Sequence, residues 1–180
     1  MGIPFRAIPS SVDEHHDGLQ RPHAIVRSIA LRKANYVAMI EPSEWVLGSD
    51  TIVVLSNGEI ALKPKDRADA KRTLGLYRGS YCDVYSGLAL VNRKLKVSKV
   101  GFEKTRIHFR GFSHAEIESY LETGDWEGRS GSMTIEGVGE RWMAKMKGDY
   151  WNVVGLPVHL LGRFLREVGW PHAFDLPRRP

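Results

Sequence analysis

An α/β fold in one domain is predicted for this chain of 180 residues. Segments with the spacing of amphipathic helices alternate with apolar runs typical of strands, and the length suits a single domain. The single cysteine, Cys82, excludes an intramolecular disulfide, and no apolar run reaches the roughly 18 residues of a membrane span. We therefore expect a cytoplasmic protein without a membrane partner.

The charge balance favours an anionic partner. The formal net charge is +5, and the isoelectric point is near 9.4. A nucleotide, a nucleic acid or cellular phosphate would each suit that charge. A nucleic-acid module would ideally interleave basic and exposed aromatic residues on one element, whereas the aromatic residues here are dispersed and mostly sit in apolar runs. Nucleic acid is therefore left open as a partner but is not favoured.

The first strong helical pattern spans Pro22–Ile40. Its apolar residues, among them Ile29 and Val37, recur at helical spacing. Lys33 falls in the middle of that stripe, on the face that should meet the core. Such a lysine either reaches solvent at the edge of the helix or delivers its ammonium into a cleft, and the pattern alone favours the first.

Residues 47–66 place an isolated carboxylate inside an apolar strand. Asp50 interrupts the run that ends at Leu55, and an ionised aspartate is costly to bury unless it is paired, binds a metal or faces a wet cleft. The dipeptide Asn57-Gly58 is a strong signal for a two-residue hairpin turn. Residues 47–66 are therefore predicted to fold into a hairpin that carries Asp50.

A two-residue turn would set Ser56 opposite Glu59 and, further along, Ile52 opposite Lys63. The same register sets Asp50 opposite Lys65, less firmly because Pro64 limits pairing there. Directly opposed residues share a face of the sheet, so the carboxylate and both lysines would point the same way. The alternative is an ordinary solvated salt bridge, which the residues alone favour.

The rest of the chain supplies further elements and one glycine-rich loop. In residues 128–139, four glycines bracket small polar residues and Glu136. The glycines would let backbone N–H groups approach an anion, but a flexible surface loop would have the same composition. A solvated loop is favoured over a metal site for His15, His16 and Asp17, because adjacent residues seldom converge on one metal ion. The remaining predictions are a helix from the cap Asp66 to Tyr77, strands at 84–91, 97–109, 141–146 and 150–155, a helix opened by the capping box Ser113–Glu116, a last helix from Pro157 to about Val168, and a disordered tail at 171–180.

Seven segments in this order resemble the Maf family of nucleoside triphosphate pyrophosphatases. They are PSSVDE (9–14), ALRKA (30–34), LGSDTIVVLSNGEIALKPKD (47–66), VYSGLAL (84–90), EIESYLETGDW (116–126), GSMTIEGVG (131–139) and GDYWNVVGLP (148–157). The resemblance implies a mixed central sheet flanked by helices, with two lobes and a deep cleft, formed by residues 1–170. A homodimer is left open.

The resemblance also implies a reaction and a site. The reaction is hydrolysis of a nucleoside triphosphate, between the α- and β-phosphates, to a monophosphate and pyrophosphate with Mg²⁺ or Mn²⁺. Asp50 resembles the catalytic carboxylate, Lys63 and Lys33 resemble the phosphate-contacting lysines, and Glu14 resembles an acidic residue of the cleft. Asp50 and Lys63 are the expected catalytic residues, and Asp50 and Glu14 are the expected metal ligands. The expected substrate-binding residues are Lys33, Glu14, Thr51, Glu136 and Lys65.

Two departures from the family pattern bear on activity. The family normally opens with a strand and a Ser-x-Ser-Pro-Arg-Arg loop, and this sequence starts just after the helix that follows. We expect either a start further upstream or a divergent member without full activity. The family's usual Thr-His before the VYTG strand is Tyr81-Cys82 here, and the Thr of that strand is Ser86, so the pocket wall is expected to differ.

Two functions are therefore weighed. The first is a house-cleaning nucleotide pyrophosphatase, and the second is a Maf-like protein that binds nucleotide or nucleic acid without turnover and regulates cell division. The base is left open. Glu136 resembles the branch that acts on 7-methylated guanosine triphosphate, whereas GDYWNVVGLP resembles the branch that prefers thymidine and uridine nucleotides.

Overall fold

A computed structural model describes residues 3–14, 18 and 21–170. Within these ranges the chain forms five α-helices and five strands, and two short 3-10 turns lie at Ser130–Ser132 and Gly137–Trp142. None of these helices combines the length and the apolar character needed to cross a membrane. The helices are α1 (Pro22–Ile40), α2 (Arg67–Tyr77), α3 (His114–Glu122), α4 (Tyr150–Val154) and α5 (Val158–Glu167); the strands are β1 (Val46–Leu55), β2 (Ile60–Ala61), β3 (Tyr81–Asn92), β4 (Val97–Phe109) and β5 (Met143–Lys147).

The five strands form one sheet in the order β2-β1-β3-β4-β5, and each of these neighbouring pairs is antiparallel. Helix α1 covers one face, while the other four helices lie on the opposite face. The predicted α/β class, with a central sheet flanked by helices, is therefore confirmed. The two lobes and the cleft implied by the resemblance stay predictions.

Helix α1 packs unusually close to the sheet because two strand positions facing it are glycines. A Cβ at Gly48 would lie against the carbonyl oxygen of Ala30, and a Cβ at Gly87 would lie against that of Val26. The buried side of α1 then packs its apolar residues against the strands, and each fully buried isoleucine or valine contributes about 1.5–3 kcal/mol. Those residues are Ile25, Val26, Ile29, Ala30, Ala34, Val37 and Ala38.

The opposite face carries the larger core. Helices α2 and α3 pack there against β1, β3 and β4, and α5 packs against β3 and β4. Trp142 lies at the centre of this core, stacked on Phe112 with ring centroids 4.3 Å apart and tilted against Tyr120. The buried side chains of α2, α3 and α5 are Ala70, Thr73, Leu74, Tyr77, Ile117, Tyr120, Leu121, Leu160, Leu161, Phe164 and Leu165.

Most of the predicted elements are confirmed. Helix Pro22–Ile40 and strand Val97–Phe109 have the predicted bounds. Asp66 caps α2 by accepting the N–H of Asp69, and the capping box Ser113–Glu116 opens α3.

The prediction of a strand at 150–155 is wrong. These residues form helix α4, because the Asp149 side chain accepts the N–H of Trp151 and so caps a helical turn. Gly155 then ends the helix in the left-handed conformation, at φ 109°. Of the apolar residues that favoured a strand, Val153 packs against the core, whereas Tyr150, Trp151 and Val154 are exposed.

The predicted hairpin register is wrong by one residue. The observed pairs are Val53 with Ala61 and Val54 with Ile60, so the loop holds three residues, Ser56 to Gly58, instead of two. Gly58 supplies the positive φ, 87°, that such a loop requires. Since a one-residue shift exchanges the two faces, Lys63 does not pair with Ile52 nor Lys65 with Asp50. Strand β2 ends at Ala61, before either lysine.

Two further predictions fall outside the described residues. These are the loop with His15, His16 and Asp17 and the tail at 171–180.

The close approach of α1 to β3 generates a stability prediction. Gly87→Ala is expected to lower the free energy of unfolding by about 1–3 kcal/mol, because helix backbone would have to move away from the new methyl group. The matched control is Gly75→Ala in α2, where a Cβ meets no atom within 4 Å. That variant is expected to gain about 0.5–1 kcal/mol from the better helix propensity of alanine. Urea denaturation measures both, and unchanged stability of Gly87→Ala would contradict the packing described.

Candidate active site

One ammonium joins two carboxylates beside strand β1. The Lys33 Nζ lies 2.8 Å from Asp50 Oδ1 and 2.7 Å from Glu14 Oε1. The Asp50 side chain is 9% exposed, whereas the Glu14 side chain is 62% exposed. The cluster therefore runs from the covered surface of the sheet out to solvent, with the lysine between its two ends.

Three separate segments supply these side chains. Asp50 alternates with Gly48 along β1 and so points toward α1. Its partner on β3 is Gly87, where the backbone of Val26 in α1 lies directly against the strand. Lys33 extends from α1, four residues after the buried Ile29, and Glu14 comes from the segment before the helix. The close packing of α1 on the glycines thus brings the ammonium within hydrogen-bond distance of Asp50.

The cluster stays charged over a wide pH range. The hydrogen bond from Lys33 is the main cause that lowers the pKa of Glu14, and the charge of Lys63 acts in the same direction. Burial disfavours the charged form of Lys33, but the hydrogen bonds to Asp50 and Glu14 outweigh it and raise the pKa of Lys33. At neutral pH the lysine is an ammonium and Glu14 is a carboxylate.

The two lysines after β2 differ in their placement. Lys63 is exposed and near enough to Glu14 to lower its pKa, although it forms no ion pair with a described residue. Lys65 lies just before the cap of α2, where its backbone N–H donates to Asp69 Oδ2 at 3.2 Å. The structure thus brings Glu14, Lys33 and Asp50 together, with Lys63 beside them and Lys65 outside the cluster.

Thr51 points away from Asp50, to the opposite face of β1. Its hydroxyl lies 2.7 Å from that of Ser86 on β3, which also bonds to the backbone oxygen of Asn152 in α4. The neighbouring Ser49 donates to the carbonyl oxygens of Gly87 and Gly155, at 2.9 and 2.8 Å. This hydroxyl network joins β1, β3 and α4 directly behind the Asp50 cluster.

A pocket of about 230 Å³ lies on the Thr51 face. Its floor is apolar, formed by strand residues such as Val53, Val84 and Ile107, and its rim is polar. Glu136 lies on that rim, as do Arg129 and Thr134. The pocket is lined by Thr51, Val53, Tyr77, Cys82, Val84, Ile107, Arg129, Ser130, Met133, Thr134, Ile135, Glu136, Val153, Val154 and Gly155.

The predicted change in the pocket wall can be placed on this floor. Cys82, which the resemblance aligns with a histidine, lines this floor, and burial raises the pKa of its thiol to about 12. The side chain is therefore a neutral thiol at pH 7, and it offers the pocket an apolar surface where an imidazole would offer a hydrogen-bonding group.

Glu14 and Asp50 have the chemistry to hold a divalent cation. Their contacts with one nitrogen, at 2.7 and 2.8 Å, place the two oxygens no more than 5.5 Å apart. Carboxylate oxygens are the ligands that Mg²⁺ and Mn²⁺ prefer. In the part of the chain that the structure describes, no cluster of three His, Cys, Asp or Glu residues is preformed. The other ligands would be phosphate oxygens and waters, as is usual for magnesium in nucleotide sites.

Several residues of this region were missed by the sequence prediction. Asn152 is fully buried and donates to the Val84 carbonyl oxygen and to Thr105 Oγ1. Ser49 on β1 bonds to Gly155 at the end of α4, and Ser86 on β3 bonds to Asn152 within α4, so both strands are tied to this helix. The one available signal was the polar Asn152 in an apolar segment, since a buried amide requires hydrogen-bond partners.

Comparisons with known proteins give a consistent result. A family model described as Maf-like protein matches residues 1–168. A dTTP/UTP pyrophosphatase of Symbiobacterium thermophilum is 40% identical over 171 residues, which is 95% of this chain and 87% of the relative. Proteins of the same name from Pelotomaculum thermopropionicum and Bacillus cytotoxicus are 36% and 37% identical, covering 94% and 95% of this chain and 88% and 89% of their own lengths.

The ammonium shared by two carboxylates generates a stability prediction. Lys33→Met is expected to lower the free energy of unfolding by about 1–3 kcal/mol at pH 7, because Asp50 loses the ion pair that offsets its partial burial. A methionine keeps the length and the apolar stem of the side chain. Denaturant unfolding across pH measures the effect, and a variant as stable as the parent would contradict it.

The pH dependence of that loss has a defined sign. The pKa of Glu14 in the folded state is below its ordinary value of 4.5, so the stabilisation is present above pH 4.5 and is lost as pH falls through the lowered pKa. The pKa of Lys33 is above 10.5, so its contribution is present below pH 10.5 and is lost as pH rises through the raised pKa. The difference between parent and Lys33→Met should therefore be constant from about pH 5 to 10 and shrink on both sides.

Proposed function

The chain belongs to the Maf family, and we propose that it is a nucleoside triphosphate pyrophosphatase that acts on dTTP or UTP. The observation that carries the proposal is the Asp50–Lys33–Glu14 cluster on one face of β1 with the Thr51 pocket on the other. The names of the relatives support the reaction and the base. The products would be a nucleoside monophosphate and pyrophosphate, as suits a house-cleaning role in nucleotide metabolism.

The edge of β1 is where the two halves of a nucleotide would meet. Strand β2 pairs only with Val53 and Val54, so among the described strands none pairs with the outer edge of β1 at residues 46–51. Asp50 and Thr51 are adjacent and point to opposite faces. A nucleotide lying across this edge would have its phosphates at the Asp50 cluster and its base in the pocket.

Asp50 is the proposed general base. It would accept a proton from the attacking water, or orient that water, opposite the bond between the α- and β-phosphates. The hydrogen bond from Lys33 to Oδ1 holds the carboxylate in one orientation and favours its ionised form. A partly buried, oriented carboxylate suits this role better than a fully solvated one.

Lys33 and Lys63 are the proposed phosphate contacts. Both would offset the negative charge that develops on the phosphate oxygens in the transition state. Lys33 is already held by two carboxylates, whereas Lys63 is exposed and has no ion pair with a described residue, which leaves its ammonium available to the substrate. Glu14 and Asp50 would hold the divalent ion. When bound, Mg²⁺ or Mn²⁺ would polarise the phosphate oxygens and offset their charge.

Thr51 and Glu136 are the proposed contacts to the base. The apolar floor of the pocket suits the faces of a planar ring, and the polar rim suits its edge. A carboxylate at Glu136 accepts hydrogen bonds, so it matches N–H groups of a base and does not match carbonyl oxygens. This feature favours a second candidate substrate, a guanosine triphosphate such as the 7-methylated form, whose base edge carries N–H donors. Lys65 stays a weaker proposal, as a distant phosphate contact.

Asp50→Asn tests the proposed reaction. The variant keeps the size of the side chain but removes the base, and pyrophosphate release from dTTP and UTP in the presence of Mg²⁺ is expected to fall by at least about 10²-fold. Phosphate release after added inorganic pyrophosphatase measures the rate. Glu44→Gln, an exposed carboxylate outside the cluster, is the control and should keep the parent rate.

The same assay separates the two functions weighed above. Binding of nucleotides to the parent protein without turnover, over a panel of dTTP, UTP, GTP and 7-methylated GTP, would favour the regulatory alternative over the pyrophosphatase. A parent rate that persists in Asp50→Asn would remove Asp50 from the catalytic role.

Glu136→Gln tests the choice of base. A glutamine amide both donates and accepts, so it matches the alternating carbonyl and N–H groups of uracil and thymine better than a carboxylate does. The ratio of kcat/KM for UTP to that for 7-methylated GTP is expected to rise by about tenfold or more. An unchanged ratio would mean that Glu136 does not contact the base.

A further inference from the structure

We propose that the exposed surface of β3, β4 and β5 beyond the start of α1 is a binding site for single-stranded nucleic acid. The surface is separate from the Asp50 cluster and from the Thr51 pocket, and the proposal does not depend on the nucleotide hydrolysis argued above. We call it the basic–aromatic face; it consists of Tyr81, Asp83, Tyr85, Phe102, Lys104, Arg106, His108, Lys145 and Lys147.

The strand register gathers these residues on one side of the sheet. Gly87 faces α1, so Tyr85, Asp83 and Tyr81, which follow at alternate positions toward the start of β3, face the same way. Directly paired with them on β4 are Lys104, Arg106 and His108. Arg106 and His108 are in turn paired with Lys147 and Lys145 on β5. Paired residues share a face, so all of these side chains project from one surface.

Helix α1 leaves most of this surface open to solvent, although Asp83 is buried and Tyr85 packs in part against the α1 residues Ile25, Val26 and Ile29. The helix begins at Pro22, and His23 stacks on Phe102 with ring centroids 5.1 Å apart, which marks where its cover ends. Beyond that point the side chains of Lys104 and Arg106 are 40% and 36% exposed, and both lysines of β5 are exposed.

Rings and cations alternate across the face. The Lys104 Nζ lies 5.3 Å from the centroid of Tyr85, and the Arg106 guanidinium lies 4.1 Å from that of Tyr81. Tyr85 is also stacked near Phe102, with centroids 6.4 Å apart. Bases of single strands stack on aromatic rings and on guanidinium planes alike. The face therefore offers a row of planar groups, two of them tyrosines about 13 Å apart along β3.

The charge of the face suits a polyanion. Asp83 is its one carboxylate among the described residues, and it is shared by Arg106, at 2.6 Å, and Lys104, at 2.9 Å. Lys145 and Lys147 form no ion pair with any described residue. Four cations against one carboxylate leave a net charge of +3. Phosphates along β5 would meet unpaired ammonium groups, while bases could reach the rings of β3 and β4.

A flat sheet surface selects for single strands. In a duplex the bases are stacked on one another, and their faces are closed to protein side chains. An unpaired strand can splay its bases onto aromatic residues of a sheet, as sheet-based RNA-binding modules do. If the face served only stability, its cross-strand ion pairs would form but it would bind no oligonucleotide. Oligonucleotide binding therefore distinguishes a binding face from a purely structural one.

Fluorescence anisotropy with labelled oligothymidine and oligouridine of about twelve nucleotides tests the proposal, using the full chain between about 50 and 200 mM salt. The parent protein is expected to bind these single strands more tightly than a duplex of equal length. The double variant Lys145→Gln and Lys147→Gln should reduce the slope of log affinity against log salt by about 1.4, since each phosphate contact on a single strand contributes about 0.7. The DNA and RNA arms show which sugar is preferred.

The stacking groups are tested by a second pair of variants. Tyr81→Leu with Tyr85→Leu should weaken binding by about tenfold or more, whereas Tyr81→Phe with Tyr85→Phe keeps the rings and should keep the affinity. Arg93→Gln with Lys94→Gln is the matched charge control, because both residues are exposed at the far end of β3 and β4.

Three results would overturn the proposal. They are no binding of single strands at about 50 mM salt, equal or tighter binding of the duplex, and loss of affinity in Arg93→Gln with Lys94→Gln as large as in the β5 lysine variant. Circular dichroism and thermal unfolding confirm that each variant is folded. If Tyr81→Leu with Tyr85→Leu unfolds, the test rests on Lys145→Gln with Lys147→Gln, because those two side chains are exposed.

Discussion

The Lys33 ammonium, held between Asp50 and Glu14, is the interaction on which the geometry of the candidate site depends. It forms only because α1 lies close enough to the sheet for a side chain on its flank to reach β1. That approach in turn requires glycine at Gly48 and Gly87, where any Cβ would meet helix backbone. At Gly87, which pairs with Asp50 across the strands, the backbone of Val26 takes the place of a side chain. One packing constraint thus positions both partners of the ion pair.

The alternation of side chains along β1 places two different environments one residue apart. Asp50 meets the lysine and Glu14 on the α1 face, and Thr51 meets the hydroxyl network and the apolar pocket on the other. The network from Ser49 and Ser86 to α4 fixes the strand from behind, so the carboxylate does not depend on its ion pair alone for its position. A substrate with a charged end and a planar end matches this arrangement.

The sequence predicted those features that depend on local pattern. Helix α1, strand β4 and the two capped helices follow from spacing and from caps, and Lys33 was recognised as a charged residue in an apolar stripe. The hairpin register depended on whether the loop holds two or three residues, which Asn57-Gly58 permits equally well, and a single residue exchanges the faces. The hydroxyl network could not be predicted, because Ser49 and Gly155 are 106 residues apart and meet only through the packing of α4.

The placement of the aromatic residues also depends on strand pairing, which the sequence does not show. In the sequence they are dispersed among apolar runs, and on that basis nucleic acid was not favoured as a partner. The register between β3 and β4 sets Tyr85 opposite Lys104 and Tyr81 opposite His108, so residues more than 18 positions apart become neighbours on one surface. Interleaving of rings and cations on a sheet is a property of paired strands, and inspection of one segment at a time does not reveal it. The excess positive charge of the chain therefore appears on the basic–aromatic face, whereas the nucleotide cluster sets two carboxylates, Glu14 and Asp50, against Lys33 and the nearby Lys63. Between Asp50 and Phe102 lies Gly87, which pairs with both residues and is covered by the backbone of Val26, so helix α1 separates the two charged regions.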